Sequence, residues 1–388
     1  MPSVETSITQ PLYWNTALNV PDPVLWMDFT RGLPVRPALT VTGSGGTVRN
    51  GQGLIQAAVT NTARLDHDSS GVPIGLLVEE ARTQRVTEPR DMTNAAWNTA
   101  TNITPLKDAT GITGVANSAS TLTATAGLGV IRQAITLGSA ARTYSAWVRR
   151  KTGTGTIEIT DNGGSNYTDI TSSINSVTYT KVEVTRTQAN PDVGFRITTS
   201  GDEIEVDVNQ VEEGAGSTSP ILAAGTRTAD VATMVASDFS YNDAASTFVI
   251  DYSYEGLSGS QYAFEISDNS NANRIAVFAT DGKARYFIFN DSVDQASHQE
   301  ASASWTAGTA RKVALAYTTN DAAFAVAGAT LDTDAAVSLA NHTMTEFSIG
   351  ASHDPAAYLN GHIKLIGYWV DNLETSPAQF LTELSKAG

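Results

Sequence analysis

Two long blocks of β-strand patterning flank one irregular segment, and this arrangement constrains the fold more than any other feature. The segment runs from Gln210 to Met234, and its Gly214, Gly216, Pro220 and Gly225 are residue types that interrupt helices and strands. On both sides, short apolar runs recur between turn residues at the spacing typical of β sandwiches. The pattern predicts an all-β chain with two antiparallel β-sandwich or jelly-roll domains that meet at this segment.

Runs rich in valine, isoleucine, threonine and aromatic residues mark the predicted strands. They lie at 130–137, 143–150, 155–160, 178–187, 193–199 and 203–212 in the first block, and at 247–254, 261–267, 273–279, 284–290, 310–318, 322–328, 346–352 and 362–370 in the second. In 203–212, Ile204, Val206 and Val208 alternate with acidic residues, which predicts a half-buried strand. One helix is expected at 376–384, where Ser-Pro precedes apolar residues at helical spacing.

The composition excludes several classes of protein. A chain of 388 residues is too long for one ordinary core, which favours two or three domains. The formal net charge of −16 argues against nucleic-acid binding, because that binding depends on clustered lysine and arginine. No apolar run approaches the ~20 residues of a membrane helix, and the N-terminus lacks the pattern of a secretory signal. The sequence has no cysteine, so packing, hydrogen bonds and oligomerisation must stabilise it.

Three motifs carry a resemblance to a known family. In 210–230 a glutamine is followed by Glu-Glu-Gly, Thr-Ser-Pro-Ile and Thr-Arg-Thr-Ala-Asp; in 65–85 an Asp-rich turn precedes Gly-Leu-Leu-Val-Glu; and residues 94–97 read Asn-Ala-Ala-Trp. Together they resemble tailed-phage structural proteins of the tail fibre, tail spike or head fibre type. In that family the third motif opens a carbohydrate-binding-module-like sandwich. The order of strands after residue 235 resembles a concanavalin A-like or laminin-G-like jelly roll.

The resemblance implies a domain division and a location. Residues 1–90 would form an N-terminal arm and virion-docking region, 91–213 the carbohydrate-binding-module-like sandwich, 214–234 a linker and 235–388 the jelly roll. The arm, rich in proline, would either dock onto other virion proteins or fold back over its own first domain. We expect the protein on the phage particle, at its tail or capsid, after assembly in the host cytoplasm. A homo-oligomer, a trimer first, is expected because weak sugar sites gain from avidity.

Candidate sugar-binding residues combine an aromatic ring with nearby polar groups. Tyr286 is one candidate, because it alternates away from two phenylalanines and is expected to face outward. Tyr358 is another, flanked by His353, Asp354 and Asn360.

A third candidate is the polar loop with Asn166 and Tyr167, whose alternative interpretation is a solvent-exposed hairpin. The face of Trp147 is not settled by the sequence, and a core position is favoured.

Two polar clusters offer the oxygen ligands that calcium prefers, but neither matches a spaced calcium loop, and polar turns that bind no ion are the favoured interpretation. They are Asp268, Asn269, Asn271 and Asn273 in the first cluster, and Asp332 and Asp334 in the second. The triplet Asp66, His67 and Asp68 is interpreted as an Asx-capped turn, because adjacent strand residues point to opposite faces. No cofactor is expected otherwise.

The sequence does not favour catalysis. Glu265, Glu300 and Glu346 are scattered carboxylates outside any recognisable glycosidase motif, and Glu79 and Glu80 are interpreted as structural. The resulting hypothesis is a non-enzymatic phage fibre or adhesin that binds host-surface glycans. The alternative is a capsid or tail decoration protein that contacts the particle without a ligand.

Overall fold

The structure, a computed structural model, describes residues 22–31, 39–255, 259–302, 305–327, 329–354 and 356–373. The predicted helix at 376–384 and nearly all of the predicted N-terminal arm lie outside these residues. Within them, no helix is long and apolar enough to cross a membrane.

The described chain is built from short strands and a single turn of 3₁₀ helix at Ala236–Phe239. The strands before the first predicted sandwich are β1 (Leu25–Asp28), β2 (Thr40–Thr42), β3 (Thr47–Arg49), β4 (Ile55–Ala57), β5 (Leu65–His67), β6 (Pro73–Val78) and β7 (Arg82–Gln84). The next are β8 (Thr99–Thr101), β9 (Ile103–Ala109), β10 (Ala119–Ala124), β11 (Gly129–Ala134), β12 (Ala140–Thr152), β13 (Ile157–Thr160), β14 (Thr168–Asp169), β15 (Thr180–Gln188), β16 (Asp192–Ile197) and β17 (Glu203–Glu213). The last are β18 (Gly225–Arg227), β19 (Val231–Val235), β20 (Ala245–Tyr254), β21 (Gln261–Ser267), β22 (Arg274–Thr280), β23 (Lys283–Asn290), β24 (Val293–Gln299), β25 (Arg311–Thr318), β26 (Asp321–Val326), β27 (Ala329–Asp334), β28 (Glu346–Ile349) and β29 (Gly361–Trp369).

The strands form two sandwiches of antiparallel sheets, which confirms the all-β fold class. In the smaller, the sheet β15-β12-β17-β10-β9 packs on the sheet β14-β13-β16-β11-β8. In the larger, an eight-stranded sheet ordered β27-β26-β25-β20-β29-β6-β5, with β1 also paired to β29, packs on β2-β19-β28-β21-β22-β23-β24. Each sandwich has its own apolar core, as expected when two sheets bury one face each.

The larger sandwich contains strands from both ends of the chain. Strand β1 pairs with β29, with Leu25 opposite Tyr368, and β6 pairs with the same strand through Leu76 and Ile363. Strand β2 pairs with β19. The hydrogen bonds therefore cross the predicted division between residues 1–90 and 235–388, and the smaller sandwich is inserted between the two halves of the larger one. The segment 214–234, predicted as a linker, includes β18 and most of β19.

Strand β17 departs from the simple alternation that its sequence predicts. Ile204 and Val206 face the core of the smaller sandwich, but Val208 packs on its outer face with Ile55 and Ile112. The reason is a β-bulge: the pairing of β12 with β17 shifts register, and Val208 has a φ of 42°. On the outer face of β17, the acidic side chain of Asp207 is fully buried and not exposed to solvent.

Two of the three family-like motifs meet in one buried cluster of charges. Arg64 donates to Glu79 at 2.7 Å and to Asp230 at 3.1 Å. Arg227 also donates to Glu79, which accepts from the N–H and the hydroxyl of Ser219, both at 2.6 Å. The four charged side chains are at most 10% exposed. Since buried charges need partners, this cluster fixes how 65–85 and 210–230 cross, and Glu79 has the structural role that the sequence predicts.

The irregular segment is also held from the end of β17. The Gln210 side-chain oxygen accepts from the N–H of Ile221 at 2.7 Å. The buried Glu212 carboxylate accepts from both the N–H and the hydroxyl of Thr218, at 2.8 and 2.7 Å. These side-chain hydrogen bonds take the place of regular strand pairing and hold residues 217–221 at the junction between the two sandwiches.

Candidate functional site

A cleft of about 390 Å³ lies at this junction, and we call it the junction cleft. One wall is the outer face of the smaller sandwich at β12 and β15, and the other is formed by β3, β5, β6 and the start of β29. Residues 217–220 line it between the walls. Ligand sites occur preferentially at such interfaces, which makes the junction cleft the candidate site.

Trp147 dominates the wall of the smaller sandwich. Its neighbours in β12, Ala146 and Val148, point into the core, so its indole lies on the opposite face, half-buried. It packs against the apolar cluster of Ile55, Ile112 and Val208. The favoured core position is therefore corrected: bulky cover from β4 half-buries a side chain that belongs to the outer face.

Two cationic side chains flank this indole. The Arg49 guanidinium lies 5.3 Å from the ring centroid, within cation–π range. Lys181 is the cross-strand partner of Trp147 in β15, and directly paired side chains on one sheet face are neighbours. Burial lowers the pKa of Arg49 from its ordinary value, against the opposing charges of Asp66 and Asp68.

The opposite wall carries two histidines and three carboxylates. The Nδ1–H of His67 donates to the carbonyl oxygen of Arg49 at 2.8 Å, which leaves its Nε2 free to accept. His362 Nε2–H donates to Asp66 at 3.0 Å, and Asp66 also accepts from the N–H of Arg49 at 2.6 Å. Glu255, 48% exposed, lies at the same edge.

Asp68 confirms the expected Asx turn. One oxygen of its carboxylate accepts from the N–H groups of Ser70 and Val72, at 2.8 and 2.9 Å. These bonds, with the charge of Arg49, hold the pKa of Asp68 below its ordinary value.

The hydroxyl groups of the segment between the walls are already engaged. Ser217 donates to Glu183 at 2.6 Å, and Thr47 donates to the carbonyl oxygen of Pro220 at 2.7 Å. The hydroxyl groups of Thr218 and Ser219 donate to the buried carboxylates of Glu212 and Glu79. The segment between the walls therefore shapes the cleft, while the polar groups that remain available to a ligand belong to the walls.

The sequence-predicted sugar residues lie elsewhere. Tyr286 points into the core of the larger sandwich, 1% exposed, with its ring 4.8 Å from that of Phe324 and its hydroxyl bonded to Asp332 at 2.8 Å. This corrects the expectation that it faces outward: Phe287 and Phe289 occupy the outer face, where the Arg274 guanidinium covers them. A ring packed on both sides offers no face to a sugar.

The group around Tyr358 is divided by its hydrogen bonds. His353 is bonded to the buried Glu265, and Asp354 accepts from the hydroxyl of Ser352 at 2.8 Å. The buried Asn360 accepts from the N–H of Glu80 at 2.9 Å. Tyr358 itself is half-buried, and all three of its polar neighbours are committed to hydrogen bonds within the protein.

The loop of Asn166 and Tyr167 remains at the surface of the smaller sandwich. The Arg196 guanidinium lies 3.7 Å from the centroid of the Tyr167 ring and covers it. Asn166 is exposed, and its N–H donates to Asn162 at 2.9 Å. This loop lies outside the junction cleft.

The first calcium cluster lies in the loop between β21 and β22, whereas Asp332 and Asp334 of the second lie in strand β27. Asp268 accepts from Ser270 and from the side chain of Asn273, at 2.6 and 2.9 Å, while Asn269 and Asn271 are exposed. In the second cluster, Asp332 accepts from Tyr286, and Asp334 accepts from the N–H of Ala336 at 2.8 Å. In the described residues, no group of three or more histidine, aspartate or glutamate side chains could hold a metal ion.

The scattered carboxylates have separate surroundings. Glu265 is bonded to His353, and Glu300 forms an ion pair with Arg311 at 2.7 Å. Glu346 begins β28, where its strand neighbour across the sheet is Val235.

The residues of the junction cleft were missed by sequence reasoning. Arg49 and Lys181 are single cations in separate strands, and His362 is nearly 300 positions from Asp66. Trp147 and Asp68 were noticed, but only as a core residue and a turn residue. The one usable signal was the polar, glycine-rich segment itself, which marks a domain junction where clefts form.

Comparison with known proteins does not identify a function for this cleft. No protein-family model matches the sequence, and no curated protein matches it. Among solved structures, the carbohydrate-binding module CBM40 of the Ruminococcus gnavus IT-sialidase, bound to α2,3-sialyllactose, shares 15% identity over 36% of this chain and 83% of its own, with a TM-score of 0.32. The NanB sialidase from Streptococcus pneumoniae shares 14% over 39% of this chain and 26% of its own, with a TM-score of 0.33.

The binding domain of botulinum neurotoxin DC, in complex with rat synaptotagmin II, shares 10% identity over 41% of this chain and 40% of its own, with a TM-score of 0.34. At these identities and scores, the similarities assign neither a family nor a ligand to the chain.

Proposed function

We propose that this chain is a non-enzymatic glycan-binding protein of a tailed-phage particle, and that it binds host-surface glycans in the junction cleft. The shape and lining of the cleft support the binding role: an indole, two cations, two imidazoles and several carboxylates, of which Glu255 is exposed, surround a space large enough for one or two sugar rings. Sugars present both C–H surfaces and hydroxyl groups, and this mixture of apolar and polar side chains suits them.

A binding role is favoured over hydrolysis because of how the cleft carboxylates are used. Both oxygens of Asp66 accept hydrogen bonds, and Asp68 caps a turn. Glycoside hydrolysis needs two carboxyl groups that face each other across the scissile bond, one of them protonated. The carboxylates described here serve as structural acceptors or lie at the open edge.

The phage origin is supported by the three motifs, and the structure gives two of them a physical reason. Glu79 of one motif and Arg227 and Asp230 of the other belong to the buried charge cluster that fixes how these two segments cross. A particle protein of this kind presents the junction cleft outward and meets other virion proteins through its N-terminal region, as one copy of an oligomer.

The test is whether the soluble chain binds host cells and blocks phage adsorption, and whether Trp147→Ala weakens both. Aromatic anchors typically contribute about 1–3 kcal/mol to binding, so we expect affinity to fall roughly tenfold or more. Tyr167→Ala is the matched control, because it removes an aromatic ring from the same sandwich outside the cleft. Thermal unfolding of both variants verifies that they are folded.

Two results would contradict the proposal. If soluble protein neither binds cells nor blocks adsorption, and antibody labels it over the phage head, a decoration role without a ligand is correct. If Tyr167→Ala weakens binding while Trp147→Ala does not, the site is the surface loop and not the junction cleft.

A further inference from the structure

The open hydrogen-bond donors of the junction cleft gather around the Trp147 indole, with Lys181 on the same wall and Arg49 on the opposite wall. The indole N–H of Trp147 has no hydrogen-bond partner among the described residues. It is not fully buried, so an incoming ligand can reach it. Arg49 uses one terminal nitrogen on the carbonyl oxygen of Gly53, at 2.6 Å, and its remaining donors have no partner in the described structure. Lys181 adds an ammonium group beside the same indole.

The neighbouring acceptors satisfy these donors only in part. Glu183 lies 3.7 Å from the Lys181 ammonium, but it is 41% exposed and already accepts from Ser217. Asp66 accepts from His362 and from the backbone of Arg49, and in the described structure neither it nor Asp68 forms a hydrogen bond with the Arg49 guanidinium, although both charges act on it. Exposed pairs of this kind contribute little, and an incoming anion can compete with them.

We propose that the junction cleft selects sugars that carry an acidic substituent, which is bound by the side chains of Arg49, Trp147 and Lys181. Charge-assisted bonds to a carboxylate, sulfate or phosphate are roughly twice as strong as neutral ones, and Arg49 offers a planar fork of donors to such a group. The hydroxyl groups of the same sugar face the acceptors of the opposite wall, His67 Nε2 and Glu255. This inference rests on the proposed function.

The charge of the whole protein sharpens the expected behaviour. A formal net charge of −16 repels an acidic glycan at long range, so attraction comes only from the local cations. Salt screens the exposed cations of the cleft, and binding of acidic glycans is therefore expected to weaken as ionic strength rises above about 0.15 M.

The experiment is binding of the full chain to a printed array of acidic glycans and their neutral counterparts, followed by titration of the strongest ligand. The key variant is Lys181→Gln, and the control is Lys151→Gln. The two lysines are 37% and 39% exposed and lie 3.7 and 3.5 Å from a glutamate, so each substitution removes the same charge from a similar setting. Trp147→Phe keeps an aromatic ring and removes the N–H.

We expect the bound set to be acidic, Lys181→Gln to lower affinity roughly tenfold, Trp147→Phe to lower it several-fold, and Lys151→Gln to leave it within about twofold. The acidic group shared by the bound glycans then identifies the substituent. If neutral counterparts bind as well as acidic ones, or both lysine variants behave alike, the acidic selectivity is wrong while glycan binding stands. If no glycan binds, the proposed function fails as well.

Discussion

At the scale of single residues, the chain repeatedly buries charged side chains inside strands and surrounds them with hydrogen-bonding or ion-pair partners. Asp207 shows the pattern. It is fully buried on the outer face of β17, where Arg90 donates to its two oxygens at 2.7 and 2.9 Å and the N–H of Ile112 donates at 2.8 Å. Such groups contribute to a unique arrangement only while every partner is present, because an unpaired buried charge is costly.

Glu79 is the residue where this dependence is greatest. Glu79→Gln leaves the guanidinium groups of Arg64 and Arg227 buried with too little negative charge, and breaking one partner of a buried pair typically costs about 3–5 kcal/mol. We expect a loss of that size in the free energy of unfolding, measured by urea denaturation at pH 7. Glu80→Gln is the control: its side chain is 34% exposed, and its loss should cost about 1 kcal/mol or less. Equal losses in the two variants would show that the cluster is not a buried network.

The same residue makes stability depend on acid. Burial alone would raise the pKa of Glu79, but Arg227, Arg64 and Ser219 outweigh it and hold the pKa well below its ordinary value of 4.5. In acid, Glu79 becomes protonated in the unfolded chain while it stays ionised in the folded chain. The stability that Glu79 contributes is therefore complete above pH 4.5 and is lost as the pH falls below it.

We therefore expect the free energy of unfolding to fall by up to about 1.4 kcal/mol per pH unit from this group below pH 4.5. Urea denaturation between pH 7 and pH 3 measures the slope, and Glu79→Gln should have a shallower one. An unchanged slope in the variant would assign the acid sensitivity to other carboxylates.

At the scale of elements, β6 must lie unusually close to β29. Gly75, in the Gly-Leu-Leu-Val-Glu motif, has a φ of +125°, and a Cβ there would collide with the carbonyl group of Ile363. A side chain would both strain the backbone and push the two strands apart.

Gly75→Ala is therefore expected to lower the free energy of unfolding by about 1–3 kcal/mol. Gly138→Ala is the matched control, since a Cβ at that position meets nothing within 4 Å; its effect should be within about 1 kcal/mol and can be stabilising. Urea denaturation of both variants checks this. A neutral Gly75→Ala would mean that β6 can move away from β29 without loss.

At the scale of the whole molecule, the larger sandwich depends on both ends of the chain. A fragment of residues 235–388 lacks β1, β2, β5, β6 and nearly all of β19, and its strand β29 loses two neighbours. Core residues Leu25 and Met27 are lost with them. We expect this fragment to lack a cooperative unfolding transition, whereas residues 84–222, which keep the core of the smaller sandwich, should fold alone.

Circular dichroism during heating and dispersion in proton NMR spectra decide between these outcomes. Adding residues 22–90 in trans to a fragment of residues 225–388, which keeps β19, should restore folding. A well-folded 235–388 fragment without that addition would mean that the N-terminal strands only decorate an independent domain.

The strands themselves were largely predictable from sequence. The run at 261–267 matches β21, because Val, Ile and aromatic residues bounded by turn residues form a local signal. Strand β24, Val293–Gln299, was missed because its polar side chains give no such signal. The faces of Tyr286 and Val208 were assigned wrongly, since period-two alternation does not state which face is covered and cannot detect a bulge.

The sequence by itself determined the all-β class, most of the strands, the turns and the position of the irregular segment, because these follow from short-range periodicity and backbone preferences. Only the tertiary structure decided that β1 and β6 pair with β29, that Arg64 meets Asp230, and that Trp147 faces Arg49 across a cleft. Such partners are separated by up to hundreds of residues, and their pairing depends on which apolar faces cover one another. No local pattern encodes that choice.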